Sequence, residues 1–295
     1  MSTLFIIGNG FDIWNRLPTS YWYFHQEYKD RLDEHIPYFD DFCDVDSEWA
    51  NFEESLGSFN QDEFHDNAAM QPSLEELGDD PKLLYGFEDE IAIKKDDLVG
   101  DITSAFNTWI RSVDVNDANK LMHFNLPAYF VNFNYTTTLQ DVYNIPEHNV
   151  LHIHGKVGRE IIFGHGRNLT SPATNEESDE PWFHETTKEV AQVHGVFHKP
   201  VHEILDRHRK NLDNYDDIGN IVVIGHSVNE IDEPYFQCIL DAYPEANWQN
   251  YNYENLEEGI DEVSETNDKL LALGVPVDRL SSFSSEKLKE LYPVA

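Results

Sequence analysis

Four short stretches of the chain combine glycines, amides and imidazoles at spacings suited to holding and acting on a polar ligand. Gly8, Asn9, Gly10, Phe11 and Asp12 directly follow an apolar run. Glycines at the carboxyl end of a strand let backbone N–H groups approach a phosphate, and the helix that follows adds a favourable dipole. The third glycine of a GxGxxG fingerprint is missing, so a tight turn accounts for the same residues equally well. Asn134, within Phe133-Asn134-Tyr135-Thr136-Thr137, ends a second run. Its amide can hold a polar ligand group or a water without adding charge; capping the next helix is the competing role. His152, Ile153, His154 and Gly155 close a third run. In a regular strand residues 152 and 154 share a face, so one imidazole can enter a crevice with the other beside it. A structural histidine is the plainer alternative, while Gly155 favours close approach of a ligand. Gly225, His226 and Ser227 follow a fourth run and resemble the nucleophile elbow GxSxG, with Asn229 in place of the last glycine. The elbow's acid and histidine partners should come later in the chain, yet His226 is the last histidine, so Ser227 is not expected to be a triad nucleophile.

Metal chemistry has a weaker basis. Ten of the 14 histidines fall between His148 and His226, and His194, His198 and His202 are spaced i, i+4, i+8. They would share one helical face only if a helix continued past Pro200, and imidazoles so placed could bind a transition metal. No HExxH, no binuclear phosphoesterase pattern and no P-loop GxxxxGK[ST] occurs. A solvated helix face is the preferred reading, and no metal site is assigned.

Something must position these residues. Apolar or β-branched runs bounded by Gly, Asn or Pro predict strands at Leu4–Ile7, Ala128–Phe133, Val150–Ile153, Ile161–Phe163, Ile221–Ile224 and Trp248–Tyr253. Helical spacing links Tyr21, Phe24, Tyr28 and Leu32, then Leu98, Ile102, Phe106, Trp109 and Val113. It also begins at Val190, Val193 and Phe197, with Pro200 at its middle or its end, and runs over Ile231–Leu240 and Leu256–Leu273. Strands alternating with helices predict an α/β fold: a mainly parallel, Rossmann-like sheet with helices on both faces. The chain is read as one domain over 1–295, with a helical insertion at about 57–125, preceded by an acidic loop around Gln61–Asp80. Thr170–Pro181 reads as a loop.

Bulk properties bound the function. Twenty Lys and Arg stand against 56 Asp and Glu, a formal net charge of −36. Such a surface repels nucleic-acid phosphates, so direct nucleic-acid binding is not expected. A saline or acidic habitat also accounts for it. A phosphate-bearing ligand would need aimed backbone N–H groups and local cations, for which Arg16, Lys156, Arg159 and Arg167 lie near the motifs. The two cysteines, Cys43 and Cys238, form no CxxC pattern and fit a reducing cytosol. No stretch has the length of a membrane span or the layout of a signal peptide, so a cytoplasmic protein without membrane association is expected.

The order of the motifs carries more than any one of them. An opening strand into GNGFD and LPTSY, then FNYT, HIHG, FGHG and a strand ending in GHS closely resembles the AbiH family of bacterial abortive-infection proteins. The matching residues are Leu4–Asp12, Leu17–Tyr21, Trp49 with Phe52 and Glu53, Asn132–Leu139, His152–Gly155, Phe163–Gly166 and Ile224–Tyr235. AbiH proteins look like distant relatives of the sirtuin superfamily. That resemblance implies NAD as substrate or ligand, with Gly8 and Gly10 at the pyrophosphate loop and Asn9, Phe11 and Asp12 beside them as cofactor-binding residues; Asp12 contacts ribose or carboxamide, or equally well caps a helix. It implies Asn134 and His154 as the catalytic pair, and Gly155, Gly225, His226 and Ser227 around ribose or phosphate. Thr136 stands where sirtuin-type motifs carry an Asp, Asn9 replaces a middle Ala, and no zinc-ribbon cysteines occur. A reduced NAD(P) glycohydrolase therefore fits better than a deacylase. The nicotinamide of NAD is already a cationic leaving group, so the protein must stabilise an oxocarbenium-like centre and control water. Asn134 can position the ribose or a water, and His154 can accept a proton. A nucleotide sensor that does not cleave, for an ADP-ribose-like ligand, is the alternative, and a metal-dependent phosphoesterase a further one. The expected partners are a small nucleotide, a phage-derived trigger or a second copy of the chain.

Overall fold

In the computed structural model, which describes residues 1–43, 51–167 and 183–294, the chain divides into two compact units. The first comprises Met1–Ser20, Ile110–Ile162 and Pro200–Ala295, the second Tyr21–Trp109 and Phe163–Lys199. The residues expected to form the loop Thr170–Pro181, and Trp49 of the motif set, lie outside the described residues.

The first unit is a parallel α/β sheet. Its strands are β1 (Ser2–Ile7), β2 (Ala128–Asn132), β3 (Val150–His152), β4 (Ile218–Ile224) and β5 (Asn247–Asn252). After a hairpin of two short strands, β6 (Glu254–Asn255) and β7 (Ile260–Asp261), β8 (Leu280–Ser284) completes it. The order is β3-β2-β1-β4-β5-β8, and every neighbouring pair is parallel. Successive side chains on a strand point to opposite faces, and both faces here are apolar. Leu4, Ile6, Val131, Ile221, Val223 and Trp248 pack on one side with Ile204, Phe236, Ile239 and Leu270. Phe5, Ile7, Phe130, Val222, Ile224 and Tyr251 pack on the other with Phe11, Leu139 and Leu288. Burial on both faces explains why the central strands read as unbroken apolar runs rather than alternating ones.

From β1 the sheet grows one way through β2 to β3 and the other way through β4 to β5 and β8. The winding reverses between β1 and β4. In open parallel sheets this reversal separates the loops beyond the strand carboxyl ends and opens a crevice there, the common seat of ligands. The GNGFD stretch, Gly8 capping a short helix at Asn9–Trp14, leaves β1, and the GHS loop leaves β4, at that point.

The second unit is helical and aromatic. Tyr21–Leu32 and the 30-residue helix Leu83–Ser112 supply Phe24, Phe106 and Trp109. Phe106 stacks on Phe163 at 4.2 Å between ring centroids and on Phe52 at 5.7 Å. The stripe of Leu98, Ile102, Phe106 and Trp109 is buried as its spacing requires. The helical insertion expected at about 57–125 falls mostly here, although this unit opens at Tyr21 and takes in Phe163–Lys199.

Several elements differ from the sequence reading. Gln61–Asp80 is not a loop: Asn60 caps a helix at Gln61–Asn67, and Ser73 with Glu76 forms a capping box for Leu74–Asp79. Reciprocal capping stabilises short acidic helices that periodicity misses. Ile161–Phe163 is not a strand, contributing only a single bridge from Ile161 to Gly155. The helix expected from Leu256 begins at Glu262, where Asp261 caps it after the hairpin. Helices His184–Val196 and Val201–Leu212 are separate, so His194, His198 and His202 do not share one continuous helix. A proline ring cannot supply the N–H that continuity through residue 200 would need. The strand β8 was not anticipated, because three of its five residues are serines. No helix among the described residues is long and apolar enough to cross a membrane.

Candidate functional site

The GNGFD and GHS loops are locked together backbone to backbone. Gly8 N–H donates to Ile224 O at 3.0 Å and Gly10 N–H to Gly225 O at 2.8 Å. A Cβ on Gly8 would sit 2.6 Å from His226 Cα, and one on Gly10 would sit 2.8 Å from Gly225 Cα. The glycines thus serve first to bring two strand-end loops into contact. Their two N–H groups are engaged in joining the two strand ends.

Asn134 joins the same point from β2. Its Nδ2 donates to Gly8 O at 3.1 Å, and its own N–H is held by Asn132 Oδ1 at 3.1 Å. Its carbonyl accepts from His152 Nδ1 at 3.1 Å, and Gln140 Nε2 lies 2.8 Å from His152 Nε2. These partners make Nδ1 of His152 the donor and Nε2 the acceptor, the neutral tautomer. Burial pushes His152 down to about 4, which agrees with that assignment. The two histidines of HIHG therefore separate in role. His152 is a neutral brace for the Asn134 loop.

His154 is buried and turns elsewhere, with Nε2 3.8 Å from Asp232 Oδ1. His226 approaches the same carboxylate, its Nε2 3.5 Å from Asp232 Oδ2. Val228 N–H donates to His226 Nδ1 at 2.9 Å, so the neutral ring carries its proton on Nε2, towards Asp232. The Phe133 ring lies edge-on to both imidazoles, at 5.5 Å from His154 and 4.4 Å from His226. Asp232 was missed at the sequence level. An Asp ahead of a Glu-Pro pair reads as an ordinary helix cap, and nothing in its spacing links it to His154.

Asp12 is the other buried acid. Thr136 Oγ1 donates to Asp12 Oδ2 at 2.5 Å, and Thr138 Oγ1 donates to Thr136 Oγ1 at 3.0 Å. The carboxyl that meets Thr136 thus arrives from the residues that follow β1. Burial pushes Asp12 up to about 6, against the opposing pull of Thr136, Thr138 and Asn134. Its Oδ1 is buried without a hydrogen-bond partner among the described residues.

This has a measurable consequence. An aspartate raised from 3.8 to about 6 destabilises the fold while ionised, at pH above both values. The penalty fades as pH falls through about 6 and is absent below 3.8. Asp12→Asn is expected to stabilise the protein at pH 8 by up to about 3 kcal/mol and by much less at pH 4. Urea unfolding of both proteins at the two pH values checks it; equal differences at both would remove the buried charge as cause.

The remaining expected site residues are less central. Ser227 is exposed and its Oγ donates to Asn229 Oδ1 at 3.0 Å. Gly155 has φ +80 and folds the chain back, with a Cβ there falling 1.8 Å from Glu160 O. Its freedom serves this turn. Of the expected cations, Lys156 pairs with Glu147, while Arg167 pairs with Asp41 in the second unit. A cation not anticipated, Lys269, donates to Ser227 O at 2.8 Å. Among the described residues, the three acid or histidine side chains with ligand atoms all within 4.8 Å are Glu34, His35 and Asp101, in the second unit. Arg31 Nε already holds Asp101 at 2.5 Å. The metal-dependent alternative gains nothing from that arrangement.

No curated protein and no solved structure was found to match the chain. A family model described as "Bacteriophage abortive infection AbiH" matches residues 4–253, which include Gly8–Asp12, Asn134, His154, His226 and Asp232.

Proposed function

Because the chain belongs to the AbiH family, whose description is bacteriophage abortive infection, we propose that it acts in that defence by cleaving the nicotinamide–ribose bond of NAD or NADP. The observation that carries this reading is the convergence of the loops after β1, β2 and β4 at the reversal of the sheet. Asn134 Nδ2 rests on Gly8 O there, and His154 lies beyond Phe133. A distant kinship with sirtuin-type NAD sites is part of the same proposal. Water forms the new bond to the ribose carbon, the glycosidic C–N bond breaks, and nicotinamide departs with the electron pair. Asn134 orients the ribose or the water, and His154 takes the proton that the water loses. Asp12, with its partnerless oxygen beside Thr136, suits a ligand hydroxyl or amide N–H.

The test is incubation of the purified chain with NAD and with NADP while nicotinamide release is followed by chromatography. Asn134→Ala and His154→Ala are each expected to slow release by about 100-fold or more. Unchanged turnover in both variants rejects the assignments. Saturable binding of the intact dinucleotide with no product over hours selects the second reading, a sensor. That reading draws on the burial of Asp12, Asn134 and His154.

A further inference from the structure

We infer that Asp232 is the positioning residue of this site, a carboxylate shared by His154 and His226 that orients both imidazoles and stabilises the proton His154 accepts. Resting on the glycohydrolase reading for its chemistry, the inference stands on independent geometry. Asp232 begins the helix Glu233–Ala242 as its N-cap, the position where an Asp side chain ordinarily accepts from the first backbone N–H groups. Its side chain makes no such bond. By contrast Asp261, Asn60 and Ser73 all cap their own helices through the side chain. The carboxylate of Asp232 instead lies between two imidazoles, one oxygen 3.8 Å from His154 Nε2 and the other 3.5 Å from His226 Nε2.

The surroundings make that orientation specific. Asp232 is only 13 % exposed in its side chain, and both imidazoles are buried against the rings of Phe133, Tyr235 and Phe236. The Val228 N–H fixes His226 Nδ1 as the acceptor, which leaves Nε2 to face the acid. Val228 itself is a β-branched residue held at φ +51, a conformation that side chains of this kind rarely adopt. Such strain persists only where the surroundings over-determine it, and here its visible product is the aimed His226. The titratable neighbours are Tyr235, on the same helix as the Asp232 cap, and Lys269, which holds the GHS loop through Ser227 O. An apolar pocket disfavours a charged imidazole, and a carboxylate within 4 Å favours it. Asp232 supplies that opposing effect to both rings. With Nε2 turned to the acid, the proton from the ligand side falls to His154 Nδ1, and no atom of Asp232 changes its bonding.

The experiment follows the imidazole C2–H resonances of the full chain by NMR against pH, with His154 and His226 assigned through His154→Gln and His226→Gln. Asp232→Asn is expected to lower both titration midpoints by about one unit or more and to shift the acid limb of the nicotinamide-release profile equally. Asp232→Glu should recover part of both effects. Should Asp232→Asn fail to fold, His226→Gln serves, because it leaves the carboxylate to His154 alone and should raise the His154 midpoint. Midpoints of His154 unmoved in the variant that folds would overturn the inference. Shifted midpoints in a protein that releases no nicotinamide would uphold Asp232 as the positioning residue and remove the glycohydrolase reading.

Discussion

Lys199→Met, in the helical second unit, should destabilise the protein by about 3–5 kcal/mol at neutral pH. Lys199 is 3 % exposed, and its ammonium sits 2.5 Å from Glu53 Oε2. Glu53 is surrounded on its other sides as well. Tyr21 Oη donates to Oε1 at 2.5 Å and Gly164 N–H donates to Oε2 at 3.2 Å. Burial by itself would raise this carboxyl. Attraction to Lys199, with the bonds from Lys199, Tyr21 and Gly164, outweighs it and holds Glu53 below its ordinary value of 4.5. A group so lowered contributes stability above its unfolded value, and that contribution is lost as pH falls through the folded one. Methionine matches the length of the lysine stem but leaves the carboxylate buried without its cation. The expected signature is a large gap between the two proteins in urea unfolding at pH 7.5 that narrows as pH falls, first where Glu53, raised by burial without its cation, becomes neutral in the variant, and then below 4.5 as the parent loses the contribution of the pair. A gap below about 1 kcal/mol at pH 7.5 would mean that the pair behaves as a surface ion pair. Glu53→Gln combined with Lys199→Met should recover much of the loss, because the buried charge is then gone from both sides.

How much of this was legible in the chain follows from what each residue signals locally. The central strands were, since Leu4–Ile7 and Ile221–Ile224 are buried on both faces and carry no polar interruption. Their turn residues were too, because Gly8, Gly10 and Gly225 mark backbone contacts that a side chain would block. The edge strand Leu280–Ser284 was not. An edge needs less apolar surface than a centre, and its burial is intermediate. In the site, Asn134 and the HIHG stretch stood out by position at strand ends. The division of labour between His152 and His154 did not, because it depends on which carbonyl and which carboxylate each ring meets. Thr136 read as a lost acid at the sequence level, whereas the fold brings the Asp12 carboxyl to its hydroxyl. Asp232 and the Lys199–Glu53 pair share a reason for being overlooked. Their meaning lies in contacts between distant parts of the chain: Asp232 meets His154 and His226, and Lys199 meets Glu53.

Gly225→Ala is the second large effect, and it tests whether the crevice is built by backbone contact. Gly225 has φ +61, and an added Cβ would lie 2.2 Å from Phe11 N and 2.4 Å from Gly10 C. The left-handed backbone alone costs an alanine about 1–2 kcal/mol. The clash adds more, because the opposing atoms are main chain and cannot swing aside as a side chain end would. Relief requires the GHS loop to separate from the GNGFD loop, stretching the 2.8 Å bond from Gly10 N–H to Gly225 O. Together these give an expected loss of about 3–5 kcal/mol. Gly158→Ala is the matched control. Gly158 has φ +81 but nothing within 4 Å of the added carbon, so only the backbone cost of about 1–2 kcal/mol should appear. Denaturant unfolding of the two variants separates the contributions. If both fall by the same amount, the loops are not in contact in solution, and the site loses the wall on which Asn134, His226 and Asp232 depend.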